Sequence, residues 1–552
     1  MAAENGKCGV RKIYFGFDSW SRALYPLLFV FVTFIAGCSG TSTSETTLSG
    51  GDDASAIVPA SATLETIDDE SFNALSEEEK IYVANKLYTT LYKGFDLDTL
   101  KSRIATGKFI SDLRDTLDST SVPQPDLDKI VPDTYTIPDG NRFGDPLLRK
   151  FNSIYTEIAS RLYYTRLGKS YYDDWMTYIL NQTILFSPAW EVESVHPFPE
   201  LIRSNFERIR DEIAADHPIK TIAYNHMVSK ENWARFRSPE DNGREMLEIW
   251  LYDFNDLHVP LAAKALRNWR WVVKYEAVSA TANDYVYYFY NDTNNADEMN
   301  TEPIELLGTT IVTGEDFYRA VVSHEDFLPG VVMRLVNVFF PDFTEERRQE
   351  IVDAIVKSEP KTFRDVFDKI LFSKTYLFES TRVKSYEEIY FGLAHLLEIT
   401  PGHDIFSFFH QPGSQVYEGG LAVSKQKAFT YKLGRSDKVP SDSDSVIRLH
   451  LNIRDAIFLN RRGTKGWNFS NIVSRYDTSS LKNYLNSMFL EIVGRSMTEK
   501  EERKLTEIAT NAGCVSATGF EKFPIMLLTF DYFSRLSEIY IYREVELQGG
   551  AS

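Results

Sequence analysis

Two segments of the sequence, residues 336–380 and 489–536, share a pattern that restricts what the chain can fold into. In each segment, an apolar helix end is followed by a short turn and by Thr-Glu at the start of a charged helix. A loop and a last apolar helix then end in Ser/Thr-x-x-Tyr. Each segment has the length of three short helices around one apolar centre. The pattern therefore predicts a mainly α fold with repeated small three-helix modules.

Local signals within the two segments support this prediction. Thr344 and Thr498 occupy equivalent positions, where a threonine side chain can cap the first amides of the second helix. Thr498 and Glu501 also have the spacing of a capping box. Tyr376 and Tyr532 close the two segments at matching positions. We expect each module to begin and end in the same way.

The rest of the chain differs in character from the two segments. The stretches 84–119 and 159–190 are candidates for weaker copies of the pattern, and the alternative is chance similarity among amphipathic helices. Aromatic and β-branched residues at 284–290, followed by an Asn/Asp cluster, favour a short hairpin. The predicted organisation is a signal peptide over 1–37, a disordered tether over 38–75, N-terminal helical modules over 76–190, an aromatic-rich middle region over 191–303, a helical module over 304–400, a loop-rich connection over 401–480 and a C-terminal helical module over 481–546.

The N-terminus carries an apolar run over 25–37, preceded by four basic side chains. A membrane-spanning helix needs about 20 apolar residues, so this run is typical of a secretory signal. The sequence Ile-Ala-Gly-Cys at 35–38 resembles the lipobox of bacterial lipoproteins. The resemblance implies cleavage before Cys38, acylation of its thiol and an anchor in membrane lipid. Ser39, where an Asp would favour inner-membrane retention, favours the outer membrane; the alternative is a buried cysteine at the end of an uncleaved helix.

Composition limits the partners and the chemistry. Removing residues 1–37, which carry four basic and two acidic side chains, changes the net charge from −19 to −21. Nucleic acid is therefore not an expected partner, because binding phosphate needs a basic surface. Cys8 leaves with the signal and Cys38 is acylated, so only Cys514 remains and no intramolecular disulfide is expected in the mature chain. The sequence contains no CxxCH or CxxC motif, and we expect no cofactor.

The C-terminal half also resembles a family. The stretch 314–378 and the turn VGRSMTEKEERKL at 493–505 are similar to the helical modules of the planctomycete-cytochrome-type families of unknown function. Their turn has the form GR-x-LT-x-x-E, and FFPDFTEERRQEI at 339–351 matches it without the Gly-Arg. Members often carry a c-type haem module elsewhere in the chain. The resemblance implies, as one alternative, a haem-free companion in surface electron transfer.

Three histidines are the candidate metal ligands. His395, His403 and His410 lie within 19 residues, with Glu398 and Asp404 between them, and imidazole and carboxylate groups suit a transition metal. The alternative is a helix–loop–helix segment with histidines at its surface or capping its carbonyls.

Three tryptophans are the candidate ligand-binding residues. Trp250, Trp269 and Trp271 could stack on a sugar or a peptide, and the spacing of the last two suits one face of a strand. The alternative is that these large side chains are buried in the core.

Two polar stretches are weaker candidates. His324, Glu325 and Asp326 could include a general base, or they could form a helix cap. The sequence NDTNNADE at 291–298 offers oxygen ligands for calcium, or it forms a plain turn.

These features favour a lipid-anchored outer-membrane protein that acts as a structural or interaction component of a surface or periplasmic assembly. Its partners would be membrane lipid, through Cys38, and proteins of the cell envelope. The sequence shows no GxSxG, HExxH or GxxxxGK[ST] motif, so it assigns no catalytic residue and favours a role other than an enzyme's. The alternative is a lipid-anchored hydrolase or metal-dependent enzyme.

Overall fold

A computed structural model of the chain describes residues 64–127, 154, 157–186, 188, 198, 200–236, 238–279, 282–398 and 469–545. Of these residues, 61% are helical and 9% lie in strands, and every sheet has only two strands. The prediction of a mainly α fold is confirmed.

The helices follow the chain in four groups. The first group is α1 (Asp69–Asn73), α2 (Glu77–Thr90), α3 (Leu97–Ile104) and α4 (Phe109–Asp118). The second is α5 (Lys169–Thr183), α6 (Glu200–Ala214), α7 (Ile219–Met227), α8 (Lys230–Trp233), α9 (Pro239–Leu251) and α10 (His258–Ala265). The third is α11 (Gly314–Ser323), α12 (Phe327–Phe339), α13 (Glu345–Lys357), α14 (Phe363–Leu371) and α15 (Tyr386–Leu396). The last is α16 (Phe469–Arg475), α17 (Leu481–Met488), α18 (Glu499–Asn511) and α19 (Lys522–Phe533).

Short elements connect these helices. Two π-helical turns follow α14 and α17, at Thr375–Glu379 and Phe489–Val493. The antiparallel strand pairs are β1 (Arg270–Ser279) with β2 (Ala282–Tyr290), β3 (Ile304–Leu306) with β4 (Thr309–Ile311), and β5 (Val515–Ser516) with β6 (Gly519–Phe520).

The predicted helix caps are present. The hydroxyl of Thr344 accepts a hydrogen bond from the amide three residues on, at 3.3 Å, and so begins α13. Thr498 and Glu501 form a full capping box at the start of α18. Satisfying these first amides is what fixes where a helix begins.

The two predicted modules correspond to α12–α14 and α17–α19, and they end differently. In the second module, the hairpin β5–β6 lies between the last two helices, where the first module has a loop. The hydroxyl of Tyr532 donates to Glu501 at 3.2 Å, within its own module. The hydroxyl of Tyr376 instead lies 2.7 Å from that of Thr90 on α2. The sequence pattern therefore marks similar helices but not equivalent contacts.

The predicted strand at 284–290 forms, as part of β2. Its partner is β1, in the register Arg270 to Tyr290, so the hairpin turn lies before β2 and not at the Asn/Asp cluster after it. The cluster was interpreted as the hairpin turn because Asn and Asp favour turns of any kind.

One hydrophobic core runs through the described residues, from Ile67 near the start to Val545 near the end. Helix α2 packs against α3, α15 and the first π-helical turn. The first and last described parts of the chain therefore share a core.

The first helix also begins nearer the N-terminus than the sequence predicted. Helix α1 lies inside the predicted tether over 38–75, and Ile67 and Phe72 are buried. The prediction was wrong at this end because one buried ring anchors a five-residue helix that shows no periodicity. Helix α16 likewise lies inside the predicted loop-rich connection over 401–480.

Two observations bear on the N-terminal predictions. Cys514 is disulfide-bonded, and its partner lies outside the described residues. The expectation of no intramolecular disulfide concerned the processed chain, without residues 1–37 and with Cys38 acylated, and it stays a prediction. None of the helices in the described part of the chain is long and apolar enough to cross a bilayer. The lipobox and Cys38 lie outside the described residues.

Candidate functional site

A cleft that is partly open to solvent lies where the two ends of the described chain meet. Its walls come from α2, from α15, from the second π-helical turn and from the C-terminal segment 538–543. π-Helical turns are frequent at functional sites.

A buried ion pair lies behind the inner wall of the cleft, and its carboxylate, that of Glu388, is part of the lining. Arg382 and Glu388 form an ion pair in which both side chains are at most 5% exposed. Nη1 of Arg382 lies 2.8 Å from Oε2 of Glu388, and Nη2 contacts Oε1. The hydroxyl of Tyr542 donates to the same carboxylate at 3.1 Å. The Glu388 carboxylate also accepts a hydrogen bond from the amide of Ser385, and the Glu388 amide donates to the Ser385 hydroxyl, so the two residues form a capping box at the start of α15. These bonds hold the carboxylate in one orientation.

Two lysines point into the same region. Lys86 on α2 is 2% exposed, and its Nζ donates to the main-chain carbonyls of Leu377, at 3.3 Å, and Ser380, at 2.8 Å. Lys384 is partly buried and donates to the carbonyl of Glu538 at 2.7 Å. Burial lowers the pKa of Lys86 well below its usual value, and the nearby Arg382 adds to this effect. Burial also lowers the pKa of Lys384, to about 8.

Glu387, the neighbour of the ion-paired Glu388, points the other way into the core. It is fully buried, and its Oε1 accepts a hydrogen bond from the hydroxyl of Tyr178 at 2.6 Å. Burial raises the pKa of this carboxyl group to about 7, because the charged form loses its hydration.

Charged side chains of both signs line the cleft. Its three lining carboxylates, Glu388, Glu491 and Glu538, are each paired with an arginine. Burial raises the pKa of Glu491 to about 8, because the charged form loses its hydration and the ion pair with Arg475 offsets only part of this loss. The lysines keep unused N–H donors, since an ammonium group has three.

Sequence reasoning missed this cleft. Its walls come from segments hundreds of residues apart, and no local motif connects them. One sign was available: Lys86 falls between Val83, Leu87 and Thr90 in α2, on a helix that is buried almost all round.

The three candidate metal ligands are not brought together in the described residues. His395 is buried, and its ring stacks on that of Tyr163 at 4.2 Å. Burial lowers its pKa well below the usual value, and the adjacent Lys93 lowers it further. His403 and His410 lie outside the described residues. Within those residues, no three His, Cys, Asp or Glu side chains form a group that could hold a metal.

The positions of the three tryptophans suit packing within the protein better than the binding of a ligand. Trp250 is fully buried and stacks on Phe327 at 5.6 Å. Trp269 is 1% exposed and lies 5.5 Å from the ring of Trp233. Trp271 is partly buried in β1. The rings of Trp250 and Trp269 therefore have protein neighbours where a sugar would have to stack.

The two weaker candidates have structural roles. His324 ends α11, and its Nδ1 accepts a hydrogen bond from the amide of Asp326, which precedes α12, at 3.2 Å. In the stretch 291–298, Asn291 accepts from two backbone amides of its own turn. Asp292 accepts from the amide of Glu315 at 2.8 Å. These oxygens stabilise a helix cap and a turn.

The hairpin β1–β2 is the second candidate site. Trp271, Val273 and Tyr275 lie on the same face of this hairpin, because side chains alternate between the two faces along a strand. Tyr275 is 62% exposed, and the directly opposite Tyr285 is 53% exposed. Nearer the body, Tyr287 stacks on Trp271 at 4.4 Å. We call this surface, formed by Trp271, Val273, Tyr275, Tyr285 and Tyr287, the aromatic stripe.

Comparison with known proteins adds no relative: no protein-family model, no curated protein and no solved structure matches this chain. The likeness to the planctomycete-type modules stays a prediction, and function has to be argued from the cleft and the hairpin.

Proposed function

We propose that this chain is a lipid-anchored protein of the outer membrane, and that it acts as an interaction component of an envelope assembly. The aromatic stripe on the β1–β2 hairpin is the surface that contacts a partner protein. The lipobox at 35–38 supports the membrane anchor. The alternatives, a hydrolase or metal-dependent enzyme and a companion of haem proteins, have no specific observation in their favour.

The aromatic stripe is the observation that carries this proposal. Eight large apolar side chains are strongly exposed among the described residues, and four of them lie on this one hairpin. Exposed apolar side chains that cluster mark interaction sites, whereas scattered ones need no explanation. Tyrosine is enriched in protein interfaces because it offers a large rigid ring with a polar end.

The backbone of the hairpin supports the same role. Within the described residues, β1 and β2 pair only with each other, so each strand keeps one edge without a neighbouring strand. Such an edge can accept an extended segment of a partner by strand addition. The hairpin base is fixed to the body by Phe198, whose ring lies 4.8 Å from that of Tyr287. A fixed base lowers the entropy lost when a partner binds.

Site-specific crosslinking in cells tests this function. A photoreactive amino acid replaces Tyr275 or Tyr285 in separate strains, and Phe523, 42% exposed on α19, serves as the matched control. We expect both hairpin positions to crosslink the same envelope protein and the control position to give no such adduct.

The identified partner is then purified, and its affinity is measured for the wild-type chain and for Tyr275→Ser/Tyr285→Ser. A loss of at least tenfold is expected, since interface tyrosines often contribute 1–2 kcal/mol or more each. Unchanged affinity in the double variant, or equal crosslinking from all three positions, would overturn the proposed role of the stripe.

A further inference from the structure

His226, near the end of α7, is buried with one of its ring nitrogens bound to a cation. Its side chain is 1% exposed, and Nη2 of Arg208 on α6 lies 3.2 Å from its Nδ1. Because a guanidinium group can only donate, Nδ1 accepts this hydrogen bond, and the ring is neutral with its proton on Nε2. Among the described residues, Nε2 has no hydrogen-bond partner. Protonation of the ring would therefore turn Nδ1 into a donor that faces another donor.

The two charges that act on His226 from the described residues are both positive. One belongs to Arg208, and the other belongs to Arg235, which follows α8 and is 5% exposed. Burial lowers the pKa of His226 well below its usual value, and the two arginines lower it further. A protonated ring would be a third cation at this buried position.

The carboxylates of the helices that pack on α7 have other partners. Glu212 on α6 pairs with Arg208 at 3.3 Å, and Glu231 on α8 accepts a hydrogen bond from Ser204 at 2.8 Å. Helix α11 also packs on α7, but its charged side chains act on a tyrosine of α7 and not on His226; these are Glu315, Asp316 and Arg319. Within the described residues, no carboxylate is placed to stabilise a protonated His226.

A short link connects His226 to α8. The main-chain carbonyl of His226 accepts hydrogen bonds from the hydroxyl of Ser229, at 2.7 Å, and from its amide, at 3.1 Å. The same hydroxyl accepts from the amide of Asn232 at 3.1 Å and so caps α8. Helix α8 has only four residues, so its position depends on this cap and on packing, because one helical turn is not stable alone. A movement of His226 would therefore displace α8.

Helix α8 in turn supports the base of the aromatic stripe. Nζ of Lys230 donates to the hydroxyl of Tyr287 at 3.2 Å. Trp271 and Tyr287 pack against a small apolar cluster that includes Ala234, which directly follows α8. The next residue is Arg235, one of the two cations that act on His226. One short segment thus supports the stripe and carries a charge that a protonated His226 would repel.

From this arrangement we infer that His226 is a pH sensor for the aromatic stripe: when its ring takes a proton, α8 separates from α7 and the base of the β1–β2 hairpin loosens. The proton comes from solvent and binds Nδ1, and the hydrogen bond from Arg208 is lost. The free energy of opening has its full value above about pH 6.5, the ordinary pKa of histidine, and falls below it, because the opened segment binds the proton more readily. The inference rests on the proposed function, since the stripe has to bind a partner for its position to matter.

Hydrogen–deuterium exchange of the detergent-solubilised full chain tests the sensor without a partner. We expect the protection of α8, β1 and β2 to fall by about tenfold or more between about pH 7.5 and about pH 5, since each pH unit below the pKa of an exposed histidine favours the open form by up to about tenfold. The protection is corrected for the intrinsic exchange rate at each pH. Helix α13 should keep its protection. An equal loss in α13 would indicate general acid unfolding and would overturn the inference.

Variants identify the group that takes the proton. His226→Gln keeps an acceptor for Arg208 and cannot be protonated, so it should retain protection of α8, β1 and β2 at the lower pH. His226→Asn is a second neutral replacement, used if circular dichroism shows that the first is unfolded. His217→Gln, at an exposed position just before α7, is the matched control and should respond as the wild type does.

Two results would overturn the sensor: unchanged protection in the wild type at the lower pH, or the same loss in the neutral variants as in the wild type. Failure of the crosslinking at Tyr275 and Tyr285, with the expected exchange pattern present, would overturn the proposed function and leave the pH response of the hairpin standing.

Discussion

Gly94 and Gly392 meet at the closest approach between the end of the α2 segment and α15. A Cβ atom on Gly94 would lie 2.1 Å from the carbonyl oxygen of Gly392, whereas a Cβ atom on Gly392 would meet nothing closer than 3.7 Å. The contact is therefore asymmetric: only one of the two glycines has to lack a side chain. It also brings together two walls of the cleft.

Alanine substitution should expose this asymmetry. Gly94→Ala forces backbone to move, so we expect it to lower the free energy of unfolding by about 2 kcal/mol or more. Gly392→Ala places alanine in a helix interior without a clash and should leave stability unchanged or raise it by about 0.5–1 kcal/mol. Urea unfolding of the two variants measures the difference, and equal effects would show that the close approach is absent.

Glu387 gives a prediction about pH. Its pKa is raised from 4.5 to about 7 by burial, so the folded chain holds a proton that the unfolded chain has lost between these values. Stability from this group is complete below about pH 4.5 and is lost as the pH rises through 7. At 1.36 kcal/mol for each pKa unit, the loss is on the order of 3 kcal/mol.

Glu387→Gln keeps an acceptor for Tyr178 and cannot ionise. We expect it to match the wild type near pH 4 and to be the more stable protein at pH 8. Glu507→Gln, on the exposed surface of α18, should follow the wild-type curve throughout. Chemical denaturation at a series of pH values gives the comparison, and parallel curves for Glu387→Gln and the wild type would contradict the burial of an acid here.

Arg495 should be the stabilising residue of the Gly-Arg turn. Its guanidinium group lies 2.8 and 2.9 Å from the oxygens of Glu501 and 2.9 Å from Glu538. Arg495→Met would remove the cation that Glu501 and Glu538 share at a site that is 10–21% exposed, so we expect a loss of about 2 kcal/mol. Arg347→Met removes only exposed ion pairs and should cost less than about 0.5 kcal/mol. Thermal unfolding distinguishes the two; similar losses would count against a structural role for the turn.

The sequence predicted those structural features that depend on residues close together in the chain. The sequence predicted the helix caps at Thr344 and Thr498, because a cap involves residues only three positions apart. It predicted the strand at 284–290, because a strand needs only an alternating pattern. The Gly-Arg turn was recognised from the sequence as a motif, but only the structure shows why glycine and arginine occupy these two positions. Gly494 has φ +76°, which glycine adopts easily, and this turn directs Arg495 toward Glu501.

Structural features that depend on contacts between residues far apart in the chain could not be predicted. The cleft joins Lys86 to Tyr542, which are more than 450 positions apart, and no periodicity records such a contact. The tryptophans were ambiguous for a related reason: a large ring suits both a core and a ligand platform, and only the positions of its neighbours decide. Trp250 and Trp269 are enclosed by other rings, whereas Tyr275 and Tyr285, which the sequence did not single out, are exposed.

Mass spectrometry of the protein purified from membranes tests the central claim most directly. The account predicts a mature chain that begins at Cys38 and carries acyl groups on the cysteine, with residues 1–37 absent. A Cys38→Ser chain should keep its signal segment and give no acylated peptide. A wild-type chain that starts elsewhere, or a Cys38 without lipid, would contradict the membrane anchor and the envelope role argued from it.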